Sequence, residues 1–201
     1  MKKLFLPLVA LLLCNFNLAE TPLTDQERKF ALDHLTQSKE KFLNAIKGLS
    51  KEQLAFKSSP ESWSVAECAE HIATTESSLF GAVEGALKNP IDASKRSALK
   101  MSDEEVVKMI TDRSHKVKTS EAFVPSGKFG DIEGITKEFT AKRDAHIAFV
   151  KGTKEDFRDR VVTFPYASFD AYQVIVFMSG HTLRHTAQIE EVKADANFPK
   201  K

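Results

Sequence analysis

Apolar residues recur at three- and four-residue steps through most of the chain, and each run is bounded by recognisable helix signals. Thr24-Asp25-Gln26-Glu27 is a capping box, a Thr followed three residues later by Glu. Phe30, Leu32, Leu35, Phe42, Leu43, Ile46 and Leu49 follow it, which predicts a helix to about residue 48. Ser50 to Leu54 reads as one short turn, and Ser58-Ser59-Pro60 breaks the chain. Ser64-Val65-Ala66-Glu67 is a second capping box. The stripe Val65, Cys68, Ile72, Leu79 and Val83 then runs to about Leu87, where Asn89-Pro90 stops it.

Ser102-Asp103-Glu104-Glu105 opens a shorter helix carrying Val106, Val107, Met109 and Ile110. Pro125, Gly127, Gly130 and Gly134 make residues 122–134 a loop. Ile135 to about Val150 is helical again. The connection 151–167 holds a short helical piece at 154–158 and an extended Val161-Val162-Thr163-Phe164. The last helix is expected from Ser168 to about Asp195. No internal repeat and no sustained alternation suggest a sheet. The expectation is therefore all-α, a four-helix bundle with an extra short helix or extended loop between its second and third helices. Whether residues 102–121 are a fifth element or extend the third stays open at this level.

The amino terminus has a different pattern. Lys2 and Lys3 precede an unbroken run of apolar residues and Pro from Leu4 to Leu13, and a small residue, Ala19, stands before Glu20. That order is a secretory signal peptide, expected to be cut after Ala19, and the run is shorter than the roughly 20 apolar residues that span a bilayer. Leu13 occupies the place where a lipoprotein signal before Cys14 wants a small residue. The expectation is export to the periplasm or the medium, no stable membrane anchor, and one domain over residues 20–201. Cleavage removes Cys14 and leaves Cys68 alone, so no disulfide forms within the mature chain.

Composition narrows the function. Over 201 residues the chain is 42% hydrophobic and 28% charged, which excludes a disordered polypeptide. The formal net charge of +1 gives no reason to expect nucleic acid as a partner. No Gly-rich phosphate loop and no serine-nucleophile motif occurs.

The histidines carry the candidate chemistry. Of six, His181 and His185 are one helical turn apart, in the row Val174, Met178, His181, His185, Ile189, Val192. Imidazoles on a core face need partners, since an unsatisfied buried polar group costs about 1–3 kcal/mol. His71 lies beside the stripe of the second long helix. Three neutral imidazoles meeting between two helices can each give one nitrogen to a divalent metal and leave a position open for water or substrate. The alternative is three ordinary bundle histidines. His34, His115 and His146 show no such pairing and read as surface or packed residues.

Two motifs carry a family resemblance. Ser62-Trp63-Ser64-Val65-Ala66-Glu67-Cys68-Ala69-Glu70-His71-Ile72 resembles the WSxxEhhxH signature of the DinB-like (DinB/YfiT) superfamily. His181-Thr182-Leu183-Arg184-His185-Thr186-Ala187-Gln188-Ile189 resembles its HxxRHxxQI signature. The resemblance implies a bundle in up-down-down-up order and a divalent ion, often zinc or nickel, held by His71, His181 and His185. It also implies a candidate homodimer and, in some members, chemistry with low-molecular-weight thiols, which export disfavours.

Around that set, Glu67 is a candidate general base or orienting group, against its role in the cap. Gln188 is a candidate pocket residue. Arg184 is a candidate contact for an anionic substrate, against a surface ion pair. Trp63 is expected to pack the bundle end, and Cys68 to be a buried thiol. The reading is an exported metal-dependent hydrolase of a small molecule, with a non-catalytic metal- or ligand-binding bundle as the alternative and a thiol-linked transferase third. Amino-terminal sequencing of the exported protein is expected to begin at Glu20; a chain that keeps Met1 on the outside would remove the leader.

Overall fold

The computed structural model describes residues 22–200; the leader expected at residues 1–19 lies outside the described residues. Six α-helices follow in order: α1 (Asp25–Ile46), α2 (Lys51–Ala55), α3 (Val65–Lys88), α4 (Asp103–Thr111), α5 (Ile132–Gly152) and α6 (Ala171–Lys193). Local chemistry sets their starts. Thr24, Ser50, Ser64, Ser102 and Asp170 each close a capping box, and Asp131 accepts the Gly134 N–H at the start of α5. Each such cap contributes about 1 kcal/mol. Among the described residues no helix is long and apolar enough to cross a membrane.

Three boundaries differ from the pattern-based expectation. α5 begins at Ile132 rather than Ile135, because the Asp131 cap draws Gly134 into the first turn. A Cβ on Gly134 would collide with the carbonyl oxygen of Phe129, so only glycine lets the preceding loop fold back there. The last helix begins at Ala171 rather than Ser168. Residues Ser168–Asp170 form a strand, β2, antiparallel to β1 (Val161–Thr163), with Val162 opposite Phe169. Strands of three residues are too short to show an alternation that sequence can reveal. The helical piece expected at 154–158 is replaced by bends, in which Asp156 accepts the N–H groups of Arg158 and Asp159 at 2.8 and 2.9 Å. The region 102–121 is a separate short helix, α4, ending at Thr111.

Paired contacts fix the helix directions. Lys39 meets Asp144 at 2.5 Å and Phe42 meets Phe139, while Arg28 reaches the Val150 carbonyl, so α1 and α5 are antiparallel. Glu76 meets Arg143 and Phe80 meets Phe149, so α3 and α5 are parallel. Thr75 meets His181 and His71 meets His185, so α3 and α6 are antiparallel. Glu27 meets Tyr172 and Ala45 meets Lys193, so α1 and α6 are parallel. The order is up-down-down-up, with α1 and α3 each seated between α5 and α6. The parallel pair α3 and α5 requires a crossover, residues 89–131, that returns along the bundle. α4 belongs to it and packs on α6, where a Cβ on Gly180 would collide with Ile110.

The core is two apolar clusters. One gathers Leu35, Phe80, Val83, Val150, Phe169 and Met178, and the other Phe42, Ile72, Ala73, Phe139, Ile189 and Val192. Between them runs a polar layer centred on Arg143, which is fully buried. Its guanidinium donates to both Glu76 oxygens at 2.7 and 2.6 Å, to the Leu35 carbonyl at 2.9 Å, to Ser38 Oγ at 2.7 Å and to Thr182 Oγ1 at 2.8 Å. His146 Nδ1 adds a bond to Glu76 at 2.8 Å, and its ring stacks on Phe80. All four bundle helices thus meet on one side chain.

Burial pushes the Glu76 carboxyl up, but Arg143 and His146 outweigh it and hold the group below the usual carboxylate range. Its contribution is therefore full above the unfolded carboxylate value of about 4.3 and is lost as pH falls below that. Arg143→Met should cost about 3–5 kcal/mol in denaturant unfolding near neutral pH, because it strands a buried carboxylate. Pairing it with Glu76→Gln should recover part of the loss. A single variant as stable as the parent would remove the layer from this role.

Candidate metal centre

The Ser64 capping box sets the phase of α3 and so aims His71 into the seam with α6. There it meets His181 and His185, whose one-turn spacing stacks them along the facing side of α6. His71 is buried; His181 and His185 are half-buried.

Each imidazole is oriented through its Nδ1. His71 Nδ1 donates to the Phe123 carbonyl at 2.8 Å, and His185 Nδ1 donates to Gln188 Oε1 at 2.9 Å. Thr75 gives its hydroxyl proton to the His71 carbonyl at 2.8 Å, which leaves its oxygen to accept His181 Nδ1–H at 3.3 Å. With the protons on Nδ1, the Nε2 lone pairs are free.

His71 Nε2 and His181 Nε2 are 3.3 Å apart, and the three candidate ligand atoms lie within 4.8 Å of one another. Two nitrogens bound tetrahedrally to one ion at about 2.0–2.1 Å would stand roughly 3.3 Å apart, so the donor set fits a divalent metal. Trp63 lies against His71 and His185, with ring centroids at 4.8 and 6.1 Å, rather than serving only to pack the bundle end.

The electrostatics keep these groups neutral. Burial pushes the His71 imidazole down, partly offset by the Phe123 carbonyl. Burial and the neighbouring imidazoles push His181 well down, and burial with His71 lowers His185 to about 3. Neutral imidazoles are the form that binds metal.

The other expected residues divide. Glu67 is spent in the cap and in an ion pair: it accepts the Ser64 N–H at 2.7 Å and Lys57 Nζ at 2.7 Å. Gln188 orients His185. Arg184 turns to the crossover, donating to the carbonyls of Ile110, Asp112 and His115, where a pairing with a surface carboxylate was expected. Cys68 is buried in the apolar cluster, and burial pushes its thiol up to about 12. His34 lies tilted against Phe30 and His146 stacks on Phe80, away from the cluster. Among the described residues the cluster contains no carboxylate.

The model of the DinB superfamily matches residues 34–189, which hold all three histidines. The chain belongs to the DinB superfamily. A DinB relative, the uncharacterized protein YuaE of Bacillus subtilis (strain 168), is 28% identical over 151 residues, covering 75% of this chain and 89% of its own. The structure of YfiT from Bacillus subtilis superposes with a TM-score of 0.59 at 15% identity, covering 85% of this chain and 88% of that one. YfiT is described as a probable metal-dependent hydrolase with an unusual four-helix bundle topology. At that identity the likeness concerns the fold.

Sequence reasoning passed over Arg143, Glu76 and Glu70. Arg143 and Glu76 did leave a signal. Each falls in phase with its helix's apolar stripe, Arg143 with Phe139 and His146, Glu76 with Ile72 and Val83. A charge in that phase is buried and must be paired.

In the metal-free protein all three imidazoles should lose their protons below the usual pH 6.5, His181 and His185 well below it, which nitrogen NMR shifts would report. Unfolded histidines bind protons below about pH 6.5 and the folded ones do not, so stability should fall as pH drops through that value. A normal titration of His185 near pH 6.5 would contradict the buried cluster.

Proposed function

We propose that the chain is an exported metal-dependent hydrolase acting on a small molecule, with His71, His181 and His185 holding one divalent ion, zinc or nickel. The observation that carries this reading is the convergence of three neutral, Nδ1-anchored imidazoles on one point. A bound divalent ion supplies Lewis-acid polarisation and makes a water acidic enough to react near neutral pH. The chain's own residues do the positioning. Phe123, Thr75 and Gln188 fix the three tautomers, and Trp63 walls one side. YfiT's description supports the hydrolytic class by fold likeness. Export rests on residues 1–19 alone, and a homodimer on resemblance alone.

One observation favours a second reading, a metal- or ligand-binding bundle without turnover. Glu67, the carboxylate best placed in sequence to serve as a base, is engaged by Ser64 and Lys57. A thiol-linked transferase would need a small thiol outside the cell and gains nothing from buried Cys68.

Elemental analysis of residues 20–201, purified without a histidine tag, should find about one equivalent of divalent metal. His71→Ala, His181→Ala and His185→Ala should each lose it. Ester and amide substrates would then be screened on the loaded protein. No metal after reconstitution, with unchanged melting in the variants, would sink the site. Metal without turnover would favour the binding reading.

A further inference from the structure

We infer that Glu70 is a positioning residue for the metal centre, acting through a strap laid by the crossover over His71; this rests on the three-histidine reading above. Glu70 lies in α3, immediately before His71, but its side chain is turned to the crossover, where the residue is buried. One oxygen accepts the N–H groups of Ser126 and Lys128 at 3.0 and 3.1 Å, and the other accepts that of Gly127 at 2.9 Å. Three successive amides cradle the anion, a nest that Gly127 permits by adopting φ +77°.

The same strap carries Phe123, the last residue of a single 3-10 turn (Glu121–Phe123), whose carbonyl receives His71 Nδ1–H. The far end of the strap is held by Arg184, which binds the carbonyls of Asp112 and His115. The residues between the two anchors are largely exposed; Val117 is 79% exposed. Few apolar contacts hold the strap, so its polar anchors, Glu70 at one end and Arg184 with the Arg113–Glu191 ion pair at the other, set where the Phe123 carbonyl sits. Glu70 therefore fixes the tautomer and ring angle of His71 from one residue away, with Arg184 doing the same for the strap's start. Neither residue touches the metal position itself.

The experiment is Glu70→Gln in the chain of residues 20–201, read in two ways. In the metal-free protein, two-bond proton–nitrogen correlation reports each imidazole tautomer. The parent should show His71 protonated on Nδ1. The variant should show a mixture at His71 while His185, held by Gln188, keeps its form. Zinc affinity, measured by chelator competition, should fall about tenfold, the lower end of what outer partners of metal-bound histidines supply.

An unchanged His71 tautomer and zinc affinity, with the 126–128 amides exchanging freely, would overturn the inference. So would equal disturbance of all three imidazoles, which marks general loosening. Should Glu70→Gln not fold, Gly127→Val strains the nest from the strap side and is read identically. A parent that takes up no zinc defeats the proposed function, while the tautomer readout still decides the role of Glu70.

Discussion

The buried Arg143–Glu76 pair is the constraint around which the bundle is arranged. Apolar helix faces tolerate small slides, because one methyl group replaces another at little cost. A guanidinium that must find five acceptor contacts on three other helices does not slide. Thr75 and His181 immediately precede its partners Glu76 and Thr182 in sequence. The helix register that satisfies Arg143 in the centre is thus the register that brings His71, Thr75 and His181 together in the outer seam. Core and metal centre share one stratum of the bundle, and the first specifies the second.

Within that stratum the division of labour is clear. Three imidazoles are kept uncharged by burial and by one another, and each is turned by a separate acceptor: a backbone carbonyl, a threonine hydroxyl and a glutamine amide. Their partners come from the crossover, α3 and α6 respectively. The centre is therefore assembled only when the crossover has docked on the helices. The carboxylates nearby serve the scaffold instead, Glu67 at the helix start and Glu70 in the strap.

The fold was legible because its helices announce themselves locally. Capping boxes at Thr24, Ser64 and Ser102 and the stop at Asn89-Pro90 were read within a residue or two of the observed ends. The three histidines were legible as candidates from their phase and from two family motifs. Their meeting was not, since nothing in spacing places α3 against α6. The misread pieces were those whose structure depends on a partner far along the chain. Residues 168–170 look like a helix start until β1 supplies their hydrogen bonds, and Arg184 looks like a surface charge until the carbonyls at the end of α4 arrive. Glu70 gives no local hint at all, because the amides it binds lie more than fifty residues downstream.

The crossover forced by the parallel α3 and α5 has a bearing on how such proteins diversify. Residues 112–122, between the end of α4 and Phe123, are mostly exposed and contribute no side chain to either apolar cluster, so their length and composition can drift at little cost to the core, and a doubled loop costs only about 0.6 kcal/mol in closure entropy. Yet this same segment leads directly into Phe123, whose carbonyl holds His71. Relatives built on this bundle can therefore vary much of the surface that meets a ligand while the three histidines and their helix-borne partners, Thr75 and Gln188, stay in place.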